Sequence, residues 1–360
     1  MLIVAEEHVE NFLSLTQTRA TFELRYGALC PLDRALLTAK ASGQKIGLRC
    51  RPELAAYLRA KTRLPVNEDI PAVLEPGEQE ELFPGLPAAT PWEILAQSDR
   101  LIIDDWDSWN RNHFNHRPKR LPGVHIIGGA QNVFMGERAS VQPGCVLDTS
   151  GGPIIIAANA QIKYSQIQGP VFIGTGCVVD GARLRPGTSL GPNCKVGGEV
   201  SATIFQSRVN KAHEGFVGHT WAGRWVNFGA LATTSNLKNT YGTIRYQRDS
   251  ETTIDTGAQF LGSLIGDHTK IGIGQLLSTG SNIGAGCNLF GGMMAPKYIP
   301  SFSWGGNGDW QVHELEKCLK TVHATLARRN ARLRPASEDL LRAVFQNTGM
   351  ERDRFIAHHS

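Results

Sequence analysis

An aliphatic residue recurs at every sixth position through much of the second half of the chain. One run keeps this spacing without interruption, and a run from Ile173 to Val196 shows it with a single five-residue step. Gly often follows the aliphatic residue, and a small residue usually stands four positions after it. The uninterrupted run comprises Ile265, Ile271, Leu277, Ile283 and Leu289. Hexapeptide repeats of this kind are typical of a parallel β-helix, in which three short strands form one triangular coil.

The repeat divides the 360 residues into three predicted parts. Residues 1–118 show mixed α/β patterning, with a helix "LDRALLTAKASG" that stops at Gly, a helix "PELAAYLRAKT" with Pro in its first turn, and a helix followed by a strand near residues 91–106. Residues 119–307 form the β-helix, so the fold class is mainly β. Residues 308–360 have helical spacing, with a new helix starting near Pro335 and ending at Gly349.

Two stretches depart from the repeat. Residues 199–216 keep the spacing poorly, and Lys211, His213 and Glu214 arrive there within four positions. Residues 238–262 are too rich in charge for a coil, so we expect a loop that projects from the β-helix. Loops on a rigid scaffold often carry function, which makes both departures candidate sites.

Composition excludes several classes of protein. The net charge of +4 gives little reason to expect a nucleic-acid partner. The seven cysteines have no paired spacing, so neither a disulfide framework nor a metal site is expected. Four of them share one position of the repeat and should be small buried residues: Cys145, Cys177, Cys194 and Cys287. No apolar run is long enough to cross a membrane, and a reducing cytoplasm is the expected location.

An ordered series of motifs resembles the acetyltransferase half of the GlmU-like sugar nucleotidyltransferase/acetyltransferase family. The series spans about residues 120–305, and "LTQTRATFELRYGAL" (15–29) is similar to the opening of a branch with a diverged N-terminal domain. The motifs are "ARLRPG" (182–187), "KAHEGFVG" (211–218), "VNFGA" (226–230), "SNLKN" (235–239) and "IGDHTKIGIG" (265–274). The resemblance implies a left-handed β-helix, a homotrimer and active sites between subunits. Spacing alone would not give this hand, because parallel crossovers are otherwise right-handed in about 98% of cases.

The resemblance also implies roles for individual residues. His213 matches the family's acetyl-transfer base, and Asn236 matches the Asn beside the substrate amine. Acetyl-CoA, as co-substrate, would lie along the later coils. The residues expected to bind sugar phosphate or nucleotide are Arg185, Lys211, Asn227 and Lys238, and those expected to contact acetyl-CoA are Ile273, Gly274, Gly291 and Gly292.

Each assignment has a structural alternative. His213 can cap a turn where the coil register resets, and Arg185 can pair with Glu199 on the surface. Asn227 and Asn236 can be turn residues in left-handed backbone geometry. His219 and His268 occupy turn-like positions and are interpreted as structural.

The chain also departs from the family pattern. Ser201 stands where the family has a phosphate-binding Lys, and Phe216 stands where it has a substrate-contacting Tyr. The Gly-rich nucleotide loop of the family is missing from residues 1–120.

Three functions follow from these observations. The favoured one is an acetyl-CoA-dependent acyltransferase that acts on an amino-sugar phosphate or nucleotide amino sugar, without a metal. The alternatives are a sugar-1-phosphate nucleotidyltransferase, which would require Mg²⁺, and a non-catalytic scaffold that binds sugar nucleotides. In each case the partner is a small molecule rather than a nucleic acid or a membrane.

Overall fold

The fold is that of a computed structural model, which describes residues 1–71, 79–112 and 121–359, the side chains of 108–112 excepted. The predicted boundary between residues 118 and 119 lies outside the described residues. The largest unit is a left-handed parallel β-helix, as the hexapeptide repeat and the family resemblance predict.

The β-helix has three faces of stacked parallel strands. The first face contains Ser140–Val141, Gln161–Lys163, Asn210–Lys211, Asn227–Phe228, Lys270–Ile271, Asn288–Leu289 and Ser303–Gly306. The second contains His125–Ile127, Val146–Asp148, Gln166–Gln168, Phe216–Gly218, Thr233–Thr234 and Leu276–Leu277. The third contains Val133–Met135, Ile154–Ile156, Val171–Ile173, Thr188–Leu190, Ile204–Phe205, Trp221–Ala222, Ser263–Ile265, Ser281–Ile283 and Tyr298–Ile299.

Two longer strands, Val178–Leu184 and Lys195–Ser201, bend from the first face into the second. We call this bend the first corner. The second corner joins the second face to the third, and the third corner returns the chain to the first face. Successive coils are therefore stacked at the usual spacing of about 4.8 Å between neighbouring strands.

The inward side chains form one continuous buried stack. The predicted aliphatic positions, from Ile173 through Leu289, are all buried. Each contributes roughly 1.5–3 kcal/mol when fully removed from water. Cys145, Cys177, Cys194 and Cys287 are buried, as predicted.

The predicted interruption at residues 199–216 is wrong. This stretch forms regular strands in all three faces, paired in register with the coils on either side. The inward positions there are Val200, Phe205, Lys211 and Val217. The spacing looked broken because a lysine, rather than an aliphatic residue, occupies one inward position.

The N-terminal region is a small α/β unit. Its parallel sheet contains Leu2–Ala5 at the centre, flanked by Ile46–Arg49 and Glu81–Leu82. Its helices are α1 Leu13–Thr16, α2 Pro31–Ser42, α3 Pro52–Lys61, α4 Pro91–Ala96 and α5 Ser98–Asn112, and short 3₁₀ turns occur at Val9–Asn11, Thr21–Glu23 and Asn67–Asp69. The strand predicted near residues 101–106 is instead part of α5.

The N-terminal region covers the third face of the β-helix. Phe12 meets the buried Trp221 edge to face, with ring centroids 6.0 Å apart. The buried Arg19 guanidinium pairs with both carboxylate oxygens of Asp267, and Gln206 exchanges hydrogen bonds with the backbone of Arg25. The third face is thus an internal interface.

Residues 238–262 fold back instead of projecting as a loop. Arg245–Gln247 and Thr253–Asp255 form an antiparallel hairpin, and Ile244 and Tyr246 are buried. The ring of Tyr246 packs 5.4 Å from that of Trp92. Alternating apolar side chains explain why this charged segment is nonetheless anchored.

The C-terminal segment begins as a strand and ends as three helices. Asp309–Val312 pairs antiparallel with Ser303–Gly306, where helix was predicted. The helices are α6 Leu315–Ala327, α7 Pro335–Asn347 and α8 Gly349–His359. Gly349 therefore starts a helix that the sequence did not predict. Among the described residues, no helix is long and apolar enough to cross a membrane.

Candidate active site

His213 lies on the first corner, in the turn between Asn210–Lys211 and Phe216–Gly218. Its side chain is exposed. Its backbone is held from inside, because the ammonium of Lys211 donates a hydrogen bond to the His213 carbonyl. A fixed turn with an outward imidazole is an arrangement that can present a general base to a bound amine.

Lys211 is not a substrate-binding residue, contrary to the prediction. It is only 1% exposed and points into the core of the β-helix. Besides the His213 carbonyl, its Nζ contacts the carbonyl oxygen of Gly197 at 3.0 Å. Burial lowers the pKa of the ammonium to about 8. Lys211 lies six positions after the inward residue Phe205, so the six-residue period would have identified it as an inward residue.

A cluster of ion pairs lies on the second face beside His213. Arg183 contacts Glu214 at 3.1 Å and Glu199 at 3.6 Å. Arg185 contacts the same Glu199 at 3.2 Å and the side-chain oxygen of Gln168 at 2.8 Å. The surface pair of Arg185 with Glu199 is therefore present. An anionic substrate would have to compete with Glu199 for the Arg185 guanidinium. Arg183 belongs to the cluster but was missed, because only Arg185 matched the family motif.

Asn236 lies on the second corner, one strand of the second face away from the corner that carries His213. Its side-chain nitrogen is 2.9 Å from Nδ1 of His219, and the His219 ring is stacked on Phe260 with centroids 5.1 Å apart. Burial lowers the pKa of His219 to about 4. Within one chain, Asn236 thus pairs with a neutral His219 rather than with His213.

Gly218 leaves room for the side chains of Phe216 and Asn236 to pack against its backbone. A Cβ at this position would lie 2.4 Å from Cζ of Phe216 and 2.7 Å from Nδ2 of Asn236. Any larger residue would push the Phe216 ring or the Asn236 amide away. Phe216 consequently takes part in the second-corner cluster, although it lacks the hydroxyl of the family Tyr.

Asn227 and Lys238 do not lie beside His213. Asn227 is on the first face, where its side-chain oxygen accepts a hydrogen bond from Asn210 at 2.9 Å. Such stacked asparagines stabilise neighbouring coils. Lys238 is half-buried after the second corner, and its ammonium donates to the carbonyl of Thr243.

The residues expected to contact acetyl-CoA share the first corner with His213. Ile273 and Gly274 lie two coils further along, and Gly291 and Gly292 lie three coils along. Ile273 is 76% exposed, and a Cβ on Gly274 would meet no atom within 4 Å. These four residues thus line an open surface on the same edge as the candidate base.

The first corner is also an exposed apolar ridge, which the sequence analysis did not identify. We define this ridge by Leu231, Ile273, Met293 and Met294, of which Leu231 is 62% and Met293 61% exposed. Large apolar side chains grouped on a surface mark contact with another molecule more often than isolated ones do.

Sequence comparisons relate the chain to bifunctional GlmU proteins. The GlmU of Trichormus variabilis is 26% identical over 184 residues, which cover 51% of this chain and 35% of that protein. The GlmU of a Jannaschia species is 30% identical over 161 residues, which cover 43% of this chain and 33% of that protein. The chain thus spans about a third of the length of these relatives. No family model matches the sequence.

Two solved structures match the chain distantly and in part. The UDP-N-acetylglucosamine acyltransferase from Campylobacter jejuni is 13% identical, with a TM-score of 0.31, over 62% of this chain and 82% of that one. The polySia-specific acetyltransferase NeuO is 14% identical, with a TM-score of 0.30, over 53% of this chain and 85% of that one. From the sequence relatives and the motifs on its coils, the left-handed β-helix of this chain is similar to part of the GlmU proteins.

Proposed function

We propose that this protein transfers an acetyl group from acetyl-CoA to the amine of a sugar that carries a phosphate or nucleotide. The observation that carries the proposal is the exposed imidazole of His213 on a turn fixed by the buried Lys211. The sequence relation to GlmU proteins supports the reaction class. The cysteines are unpaired, which fits a protein that works in a reducing cytoplasm.

The chemistry requires a base. A sugar ammonium group must lose a proton before its nitrogen can attack the thioester carbonyl. The new C–N bond then forms, the C–S bond breaks, and the thiolate leaves and takes up a proton. Imidazole can accept a proton near neutral pH, and a positioned base typically contributes about 10²–10⁴ in rate.

The anionic end of the sugar would bind at Arg183 and Arg185. Both guanidinium groups are half exposed and lie on the second face next to the His213 turn. A phosphate would displace Glu199 from Arg185. A planar guanidinium can bind two oxygens of a phosphate, just as it can bind the two oxygens of a carboxylate. Acetyl-CoA would lie along Ile273 to Gly292, two to three coils, or about 10–14 Å, from His213.

The active site would be completed between copies of the chain in a homotrimer. The ridge gives one copy an apolar surface directly beside His213. The third face is covered by the N-terminal region, so copies would associate through the first corner and the faces next to it. A second copy that brings its second corner to this ridge would place Asn236 near a His213 imidazole.

The experiment is an acyl-transfer assay on the full chain. Acetyl-CoA is offered with glucosamine 1-phosphate and with UDP-linked amino sugars, and both the released thiol and the mass of the product are measured. We expect His213→Ala to lower turnover by about 10²–10⁴ while His125→Ala, at an exposed residue of the first coil, leaves it unchanged. Equal turnover of the two variants on an accepted substrate would rule out this role of His213.

A further inference from the structure

The third corner has one residue in left-handed backbone geometry in every coil. At several coils this residue is Gly or Asn, which adopt that geometry most readily. Three successive coils instead carry Arg208, Trp225 and His268, with φ of 54°, 63° and 64°. Bulky residues at such positions are uncommon and are a reason to look for a function.

These three residues line a cavity of about 300 Å³. Its other walls are α3, with Tyr57 and Lys61, and the connection from α6 into α7. The cavity therefore lies where the N-terminal unit, the β-helix and the C-terminal helices meet. It is on a different corner from His213 and from Asn236, so it is separate from the candidate active site.

The cavity is strongly basic. Five cationic residues line it, whereas the one carboxylate among its lining residues is Asp267. That carboxylate is already engaged by Arg19, by the Thr18 hydroxyl at 2.6 Å and by the backbone N–H of Arg224 at 2.6 Å. The cationic residues are Lys61, Arg208, Arg224, Arg332 and Arg334.

Among the residues that the structure describes, part of this positive charge has no counter-ion. Lys61 and Arg224 both contact the buried Glu23. In the described part of the chain, Arg208 has no ion pair, and its guanidinium lies 5.2 Å from the centre of the Trp225 ring. Burial, followed by the positive charges of Arg224 and Arg329, lowers the pKa of Arg208.

Two further groups point to an anionic ligand. The N-terminus of α7, a helix of 13 residues, borders the cavity at Arg334 and Ser337 and has no side-chain cap. A helix N-terminus carries partial positive charge, which favours an anion nearby. At α7 this charge is the contribution, because Pro335 has no N–H and the N–H of Ser337 already donates to the Arg334 carbonyl at 2.9 Å. The Nδ1 atom of His268 is buried and, among the described residues, has no hydrogen-bond partner.

We propose that this cavity is a binding site for a small phosphate-bearing molecule. The phosphate binds Arg208, Arg332 and the N-terminus of α7, and the rings of Trp225 and Tyr57 offer faces for a base or sugar. Arginine suits this role because its planar fork pairs with two phosphate oxygens at once. The site does not depend on the acyltransferase proposal, and it gives the chain a second place for a phosphorylated ligand.

The test is calorimetric titration of the full chain with inorganic pyrophosphate and with uridine 5′-diphosphate at low salt. We expect binding that weakens as salt is added and is at least tenfold weaker in Arg208→Gln. The double variant Arg332→Gln, Arg334→Gln changes two exposed residues, and it should also weaken binding. Arg138→Gln is the matched control, because Arg138 has the same backbone geometry at the third corner of the first coil.

The outcomes are distinct. Tighter binding of uridine diphosphate than of pyrophosphate, lost in Trp225→Leu, identifies a nucleoside ligand, and equal binding of both identifies recognition of the phosphate alone. The proposal is overturned when neither compound binds at millimolar concentration. It is also overturned when Arg208→Gln and the double variant bind as tightly as the unchanged chain, or when Arg138→Gln weakens binding equally.

Discussion

The side-chain nitrogen of Asn236 lies 2.9 Å from Nδ1 of His219, on adjacent coils of the second corner. Because an amide nitrogen can only donate, the imidazole accepts at Nδ1 and carries its own proton on Nε2. Burial holds the pKa of His219 at about 4, so the ring is neutral at physiological pH. The pair is a fixed, uncharged element beside the candidate active site.

Replacement of Asn236 by Asp should raise the pKa of His219. The new carboxylate would occupy the place of the amide and would stabilise the imidazolium form. NMR titration of the imidazole resonances measures the change, with Asn227→Asp as a control on another face. An unchanged titration of His219 in Asn236→Asp would contradict the contact.

Lys211→Met should keep the fold at neutral pH and reduce the dependence of stability on pH in the alkaline range. The pKa of Lys211 is about 8 in the folded chain, against 10.5 for a lysine side chain free in water. Between these values the unfolded chain holds a proton that the folded chain has lost, so the free energy of unfolding increases with pH. The pKa of Lys270 is also lowered to about 8. Lys270 therefore contributes to the same increase, and its contribution remains in Lys211→Met.

Urea denaturation of Lys211→Met at pH 7.5, 9 and 10.5 measures that slope, and Lys195→Met, at an exposed lysine on the first face, is the control. The same variant should lower acyl transfer, because the His213 carbonyl loses its donor. A slope equal to that of the unchanged chain would show that the Lys211 ammonium is not buried.

Arg19→Met should destabilise the contact between the N-terminal unit and the β-helix. The change leaves the buried carboxylate of Asp267 without its guanidinium, and breaking a buried pair in this way typically costs about 3–5 kcal/mol. Thermal unfolding measures the loss. Arg100→Gln breaks an exposed pair with Asp104 and should cost less than about 1 kcal/mol. Comparable losses in both variants would contradict the structural importance of the Arg19 pair.

Ile273→Asp should prevent copies of the chain from associating through the ridge. A carboxylate in a buried apolar contact is strongly unfavourable, whereas on an isolated chain the exposed position tolerates it. Light scattering coupled to size exclusion measures the oligomeric state, and Tyr241→Asp, at another exposed residue, is the control. A trimer that persists in Ile273→Asp would show that the ridge is not the interface.

The sequence predicted the β-helix because its signal is local and repeated. Each inward residue meets the same environment one coil away, so Ile265 to Leu289 could be placed from spacing alone. Lys211 broke the apolar pattern without breaking the coil. Its ammonium is satisfied by two backbone carbonyls, and no periodicity in residue type reveals such partners.

The candidate site was predicted only in part. His213 and the four residues from Ile273 to Gly292 do share a corner, because their positions within the repeat are equivalent. Asn236 was placed beside His213 from the family motif, yet the register of a single chain puts it on the next corner. The fold of α5 was missed since its apolar residues are also compatible with a buried strand.

The row of left-handed residues at the third corner has a consequence for how this protein can change. Each of them belongs to a separate coil, and none contributes its side chain to the inward stack. A mutation can therefore change one of these outward side chains at a time, and side chains on neighbouring coils are about 4.8 Å apart. A scaffold of this kind can acquire a new ligand without first losing its stability.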